Sequence, residues 1–299
     1  MWIDDAGCRL CPRRCGAKRT EEDPGLCGAG PLVRIARVAP HYWEEPCICN
    51  ENGSGAVFFC GCSLGCVFCQ NRGIALGDAG REVSVEELVD AFLRLSAEGA
   101  CNINLVTAGH YLPQVREALL IAKKRGLSVP VVYNTGSYEC VEALATLEGL
   151  VDVYLPDYKY SSPKIAAAYS SAEEYPEVAW RAIAEMTRQT GNCEWDGDRL
   201  VKGTLVRLLL LPHLLIDAKR SLKRLFAEYG NGIAYSLMRQ YTPMEGIGEK
   251  YPTLADPVSD REYASFVALG QELGIEHGFT QEKGAIGESF IPLFDNTGV

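Results

Sequence analysis

The residues best placed to do chemistry are three cysteines in the run Cys62-Ser63-Leu64-Gly65-Cys66-Val67-Phe68-Cys69. The spacing, three residues and then two, puts three thiolates on one tight loop. Protein thiolates normally hold all four irons of a cubic 4Fe–4S cluster. Three of them leave one iron open to a substrate, as an open zinc position does in catalysis. A zinc knuckle would instead use paired Cys-x2-Cys units. Cys60 offers a possible fourth thiolate, but strand geometry is expected to point it away from the loop.

The methionyl amino and carboxylate groups of S-adenosylmethionine suit an open iron. One electron from the reduced cluster would then break a sulfur–carbon bond and release methionine and a 5′-deoxyadenosyl radical that abstracts hydrogen.

At these residues the chain resembles the radical S-adenosylmethionine superfamily, which has the same cysteine spacing and an aromatic residue, here Phe68, before the last cysteine. Within it the resemblance is to the pyruvate formate-lyase-activating-enzyme-like proteins of the PflX-type group. It extends through Cys8-Arg9-Leu10-Cys11-Pro12-Arg13-Arg14-Cys15-Gly16, Gln70-Asn71, Asn134, Asp157-Tyr158-Lys159, Val206-Arg207 and Met238-Arg239-Gln240-Tyr241. The resemblance implies a cluster on Cys62, Cys66 and Cys69. It also implies cofactor contacts from Phe68, Asn71, Thr107, Asn134, Asp157, Lys159 and Arg207. Asp157 could accept from ribose hydroxyls and Lys159 could face the methionyl carboxylate. There are two departures. Where the superfamily often has Gly-Gly-Glu, this chain has Thr107-Ala108-Gly109-His110 and no acid. A histidine usual after the arginine is Leu208 here, and His213 reads as a loop residue.

A second set, Cys8-x2-Cys11-x3-Cys15-x11-Cys27, supplies four thiolates. Four close either a structural tetrahedral zinc or a second 4Fe–4S cluster. Ten of the thirteen cysteines fall between Cys8 and Cys69. Residues 1–50 hold six of them among Pro12, Pro24, Pro31, Pro40 and Pro46, so this stretch is expected to be loop-rich and cross-linked by metal.

Elements that position these groups follow from about residue 56. Strands are expected at 56–59, 102–106, 129–133, 151–155, 204–211 and 233–237. Helices are expected at 84–97, 112–125, 139–147, 163–169, 175–190, 217–229 and 260–273. Ser84 and Glu87 form a capping-box pattern at the start of the first. Six strands alternating with helices indicate βαβ units and a parallel sheet. Six is short of the eight in a closed barrel. The expected fold is therefore α/β: a partial (β/α)6 TIM-like barrel at 51–281, behind an N-terminal cysteine-rich metal-binding extension at 1–50. A C-terminal tail occupies 282–299. Each chemical motif follows a strand, where α/β folds gather their chemistry.

Of 299 residues, 47% are hydrophobic and 23% charged, as in globular chains. The net charge of -10 opposes generic nucleic-acid binding. No secretory signal or bilayer-spanning run is read, so the expectation is a cytoplasmic protein without membrane or nucleic-acid partners. The resemblance implies a protein or peptide substrate, as in activation of a glycyl radical enzyme, and a reduced flavodoxin- or ferredoxin-type electron donor. A small-molecule substrate and a non-catalytic metal-binding regulator are the alternatives.

Overall fold

The computed structural model describes residues 2–4, 6–49, 51–75, 79–282 and 292–299. Its main sheet is built from β1 (Val33–His41), β2 (Ser54–Phe59), β3 (Arg81–Val83), β4 (Ile103–Val106), β5 (Val131–Thr135), β6 (Val153–Pro156), β7 (Arg199–Leu209), β8 (Ala234–Met238) and β9 (Gly278–Thr280). The spatial order is β9-β8-β7-β6-β5-β4-β2-β1-β3, and Glu194–Asp196 is added antiparallel beside β7. From β2 to β9 every neighbouring pair is parallel. All six expected strands are present, and β9 adds a seventh parallel one.

The strands are apolar because both faces are covered. Tyr133 and Tyr154 face outward into a core shared with helices Val85–Ala97 and Leu112–Lys124. The alternate residues face inward. At the N-terminal ends of the strands, Val132, Val153, Leu205 and Ala234 close the interior together with Cys47 and Ile48. One or two steps further along the same faces stand Asn134, Asp157, Arg207 and Met238, which line a cavity. Period-two alternation thus sets an apolar plug below a polar mouth. The Ser84 capping box forms as expected, and a second opens helix Asp260–Leu273 through Ser259 and Glu262.

Two expectations need correction. The stretch 1–50 is not loop throughout, since Val33–His41 is a nine-residue strand. Its Val33, Ile35 and Val38 are buried, and it pairs antiparallel with β2. Pro40 is tolerated near its end, where a missing N–H costs little. Helix 139–147 is instead an α-turn, Val141–Leu144, continued as the 3-10 turn Ala145–Leu147. Of the 282–299 tail, residues 283–291 lie outside the described residues. Residues 292–299 run along β1: Val38 N–H donates to Thr297 O at 2.9 Å, and Asn296 N–H to Ala36 O at 3.1 Å. No helix among the described residues is long and apolar enough to cross a membrane.

Candidate active site

The cysteine loop follows β2 directly. Cys62 and Cys69 are half-buried and Cys66 is buried, and all three line one cavity of about 250 Å³ at the strand C-terminal ends. Phe68, Asn71, Thr107, Asn134, Asp157, Lys159 and Arg207 line the same cavity. The ten residues singled out around the mouth therefore come together. Cys60 packs instead with Ala36, Ala56, Phe58, Ile74 and Val106.

Burial pushes the Cys69 thiol up to about 12, and the neighbouring Cys62 and Cys66 add to it. Burial also raises Cys66, against the pull of the Lys159 ammonium. Thiols held protonated in this way release protons when a metal binds. Ser170 Oγ donates to Cys66 Sγ at 3.1 Å.

Opposite the loop is a chain of charges. Lys159 Nζ lies 2.6 Å from Asp157 Oδ2, and Arg207 Nε donates to Asp157 Oδ1 at 2.7 Å. Arg207 Nη2 donates to Asn134 Oδ1 at 2.7 Å. Burial alone would raise the Asp157 pKa, but the Arg207 and Lys159 cations overcome it and hold the carboxyl below its usual range.

Glu44 completes the chain. Its Oε2 accepts from Asn104 Nδ2 at 2.7 Å and from Asn134 Nδ2 at 3.2 Å, and its Oε1 is 3.5 Å from Arg207 Nη1. Burial lifts the neighbouring Glu45 to about 7, although Arg207 opposes the shift. Reading the sequence missed both acids. Their only signal was an acidic pair between Trp43 and Pro46, inside a stretch assigned to metal binding. Gln70 Nε2, which donates to Gln240 O at 2.8 Å, and Tyr241 also went unassigned.

The segment replacing Gly-Gly-Glu puts Thr107 in the cavity, at φ 61°, and buries His110. His110 Nε2 is 2.7 Å from Cys60 O, so this nitrogen carries the proton. Burial lowers the ring pKa to about 4 and keeps it neutral. The position Gly109 leaves free is filled by the Glu139 carboxylate, which any Cβ there would strike. Glu139 Oε1 accepts from Thr135 Oγ1 at 2.7 Å and from Tyr133 OH at 3.3 Å, and burial lifts its pKa to about 7.

Cys8, Cys11 and Cys27 are buried and Cys15 half-buried, outside this cavity. Arg19 donates to Cys8 Sγ from both Nε and Nη2, each at 3.4 Å. Burial pushes Cys11 up to about 12. Among the described residues, no three or more Cys, His, Asp or Glu side chains are grouped to hold a single metal ion. Thiolates on separate irons of a cube stand farther apart than ligands sharing one ion. The soft-donor set on one loop, facing a cavity with two carboxylates, two cations and amides, fits a cluster and a nucleoside bearing a zwitterionic amino acid.

The radical SAM superfamily model matches residues 56–193. A radical SAM domain is therefore present, and such a domain implies a 4Fe–4S cluster and S-adenosylmethionine. The chain is also 23% identical over 278 residues to Uncharacterized protein MJ0674 of Methanocaldococcus jannaschii, spanning 90% of this chain and 75% of that one. That name assigns no activity. Among solved structures, an aldo-keto reductase of Bombyx mori in complex with NADP matches at 15% identity and a TM-score of 0.27, over 73% of this chain and 81% of that one. A likeness that slight carries no argument.

Proposed function

We propose that this chain reductively cleaves S-adenosylmethionine at a cluster held by Cys62, Cys66 and Cys69 and abstracts hydrogen from a protein or peptide. This is the manner of the pyruvate formate-lyase-activating-enzyme-like proteins. A reduced flavodoxin- or ferredoxin-type donor would supply the electron. The observation that carries the reading is one cavity shared by the three cysteines and the Lys159–Asp157–Arg207–Asn134 chain. When bound, the cluster and S-adenosylmethionine would supply a 5′-deoxyadenosyl radical. The residues supply position and charge: Arg207 and Lys159 face anionic groups, Asp157 accepts from hydroxyls, and Asn134 and Thr107 offer neutral oxygens. Cys8, Cys11, Cys15 and Cys27 are proposed as a second centre, zinc or a second cluster.

A small-molecule substrate is the second reading. It is favoured by the plug of Cys47 and Ile48, which closes the interior at the N-terminal ends of the strands beneath the cavity. The test is anaerobic reconstitution with iron and sulfide, then dithionite and S-adenosylmethionine, with 5′-deoxyadenosine as readout. Iron and zinc are counted in wild type, Cys62→Ala and Cys11→Ala. Fully loaded wild type that makes no 5′-deoxyadenosine would refute catalysis and favour a regulatory metal-binding role.

A further inference from the structure

Arg13 lies between Cys11 and Cys15, outside the cavity, yet its guanidinium reaches the cluster loop. Nε donates to Ser63 O at 3.0 Å and Nη2 to Leu64 O at 3.1 Å. Nη2 also donates to Ser170 O at 2.8 Å, and Nη1 to Ser171 O at 2.5 Å. The group stacks over Tyr138, 5.1 Å from the ring centre. Ser63 and Leu64 lie between Cys62 and Cys66. Ser170 and Ser171 end helix Pro163–Ser170, whose last carbonyls lack helical partners and favour a cation. One planar fork thus ties the loop to the helix end.

Two further contacts close the bracket. Ser170 Oγ donates to Cys66 Sγ, and Val67 N–H donates to Tyr169 O at 2.9 Å. On the other flank Cys62 N–H donates to Cys27 O at 3.1 Å. Gly61, at φ +90°, is needed there because a Cβ would strike Cys27 O. The N-terminal cysteine segment therefore grips the start of the loop, residues 62–64, through Arg13 and through the Cys27 carbonyl.

We propose that Arg13 is the positioning residue of the cluster loop, fixing the Cys62–Cys66 backbone against helix Pro163–Ser170. The proposal rests on the reading that Cys62, Cys66 and Cys69 hold the cluster. It does not require a metal in the N-terminal set. Lysine cannot substitute, because an ammonium has no planar fork to meet four carbonyls. Whatever orders the Cys8–Cys27 segment also seats Arg13. By reciprocity, ordering the loop with a cluster then tightens that segment.

The test compares wild type, Arg13→Gln and Arg13→Lys, with Arg181→Gln as an exposed control. In purified protein before reconstitution, hydrogen exchange is followed in peptides covering 61–69 and 131–135. Both Arg13 variants are expected to speed exchange at 61–69 by about tenfold, the scale of losing hydrogen bonds to a charged donor, and to leave 131–135 unchanged. After reconstitution, iron loss to a chelator is expected to quicken by a similar factor, with an altered EPR signal when S-adenosylmethionine binds. Unchanged exchange at 61–69, or an equal rise at 131–135, overturns the proposal. If wild type builds no cluster, the functional reading falls, while the exchange arm still decides what Arg13 does to the loop.

Discussion

Arg207 donates from Nε to Asp157 Oδ1 at 2.7 Å, and the two backbones are bonded as well, with Tyr158 N–H donating to Arg207 O at 2.9 Å. The pair is fixed by main chain and side chain together, just where β6 and β7 reach the mouth. Removing Asp157 takes the carboxylate from the mostly buried Lys159 and leaves Arg207 with Glu44 alone. Asp157→Ala is expected to cost about 3–5 kcal/mol in urea unfolding, the range for breaking a buried pair from one side. The folded pKa is depressed, so this stability is fully present above the unfolded carboxyl value of about 4 and is lost as pH falls through the folded value. Variant and wild type should converge only in strong acid. Convergence already at pH 6 would contradict the ion-pair account.

The Ser170 hydroxyl donates to the Cys66 sulfur at 3.1 Å. A hydrogen bond to a thiolate sulfur stabilises the more negative, reduced cluster. Ser170→Ala should therefore make the cluster harder to reduce. A loss of about 1 kcal/mol corresponds to roughly 40 mV for one electron. An EPR-monitored redox titration would read the shift. No change, or a shift to higher potential, would contradict the role given to this hydroxyl.

Much of this was legible in the sequence, for identifiable reasons. The six strands announced themselves as short apolar runs bounded by helix caps. The cysteine spacing needed no tertiary information. Asp157, Lys159 and Arg207 were legible through the family resemblance, which places an Asp-x-Lys after one strand and an arginine on the next. Glu44 was not. It reaches the mouth because β1 runs antiparallel to β2, and the turn between them enters the barrel with Cys47 and Ile48. Local pattern cannot report that, since the placement depends on a pairing with Ser54–Phe59. β1 itself was obscured by Pro40 and by the cysteines around it. β9, three residues long with a glycine, carries too few side chains to show a period.

Glu44 holds both Asn134 and Arg207 in place, so its charge should matter more than its volume. Glu44→Gln keeps the size, but it removes the counter-charge to Arg207 and brings an amide donor against those of Asn104 and Asn134. Affinity for S-adenosylmethionine, measured by equilibrium dialysis on the cluster-loaded protein, is expected to fall about tenfold or more. KM should rise more than kcat falls. Unaltered affinity would show that Arg207 and Asn134 keep their places without the acid.

Glu139 gives the clearest pH signature. Its carboxyl is buried against Gly109, and its pKa is raised to about 7 because burial outweighs the hydroxyls of Thr135 and Tyr133. An unfolded glutamate titrates near 4.3. Between these values the folded protein keeps a proton that the unfolded chain has lost, so stability falls as pH rises through this window. The full penalty, about 4 kcal/mol from the two pKa values, is present above pH 7 and absent below pH 4. Glu139→Gln preserves the shape and an oxygen to accept from Thr135, and it does not titrate. It should raise the unfolding temperature at pH 8 and leave it nearly unchanged at pH 4.5. An equal effect at both pH values would mean that packing against Gly109, rather than the charge, sets the cost of this residue.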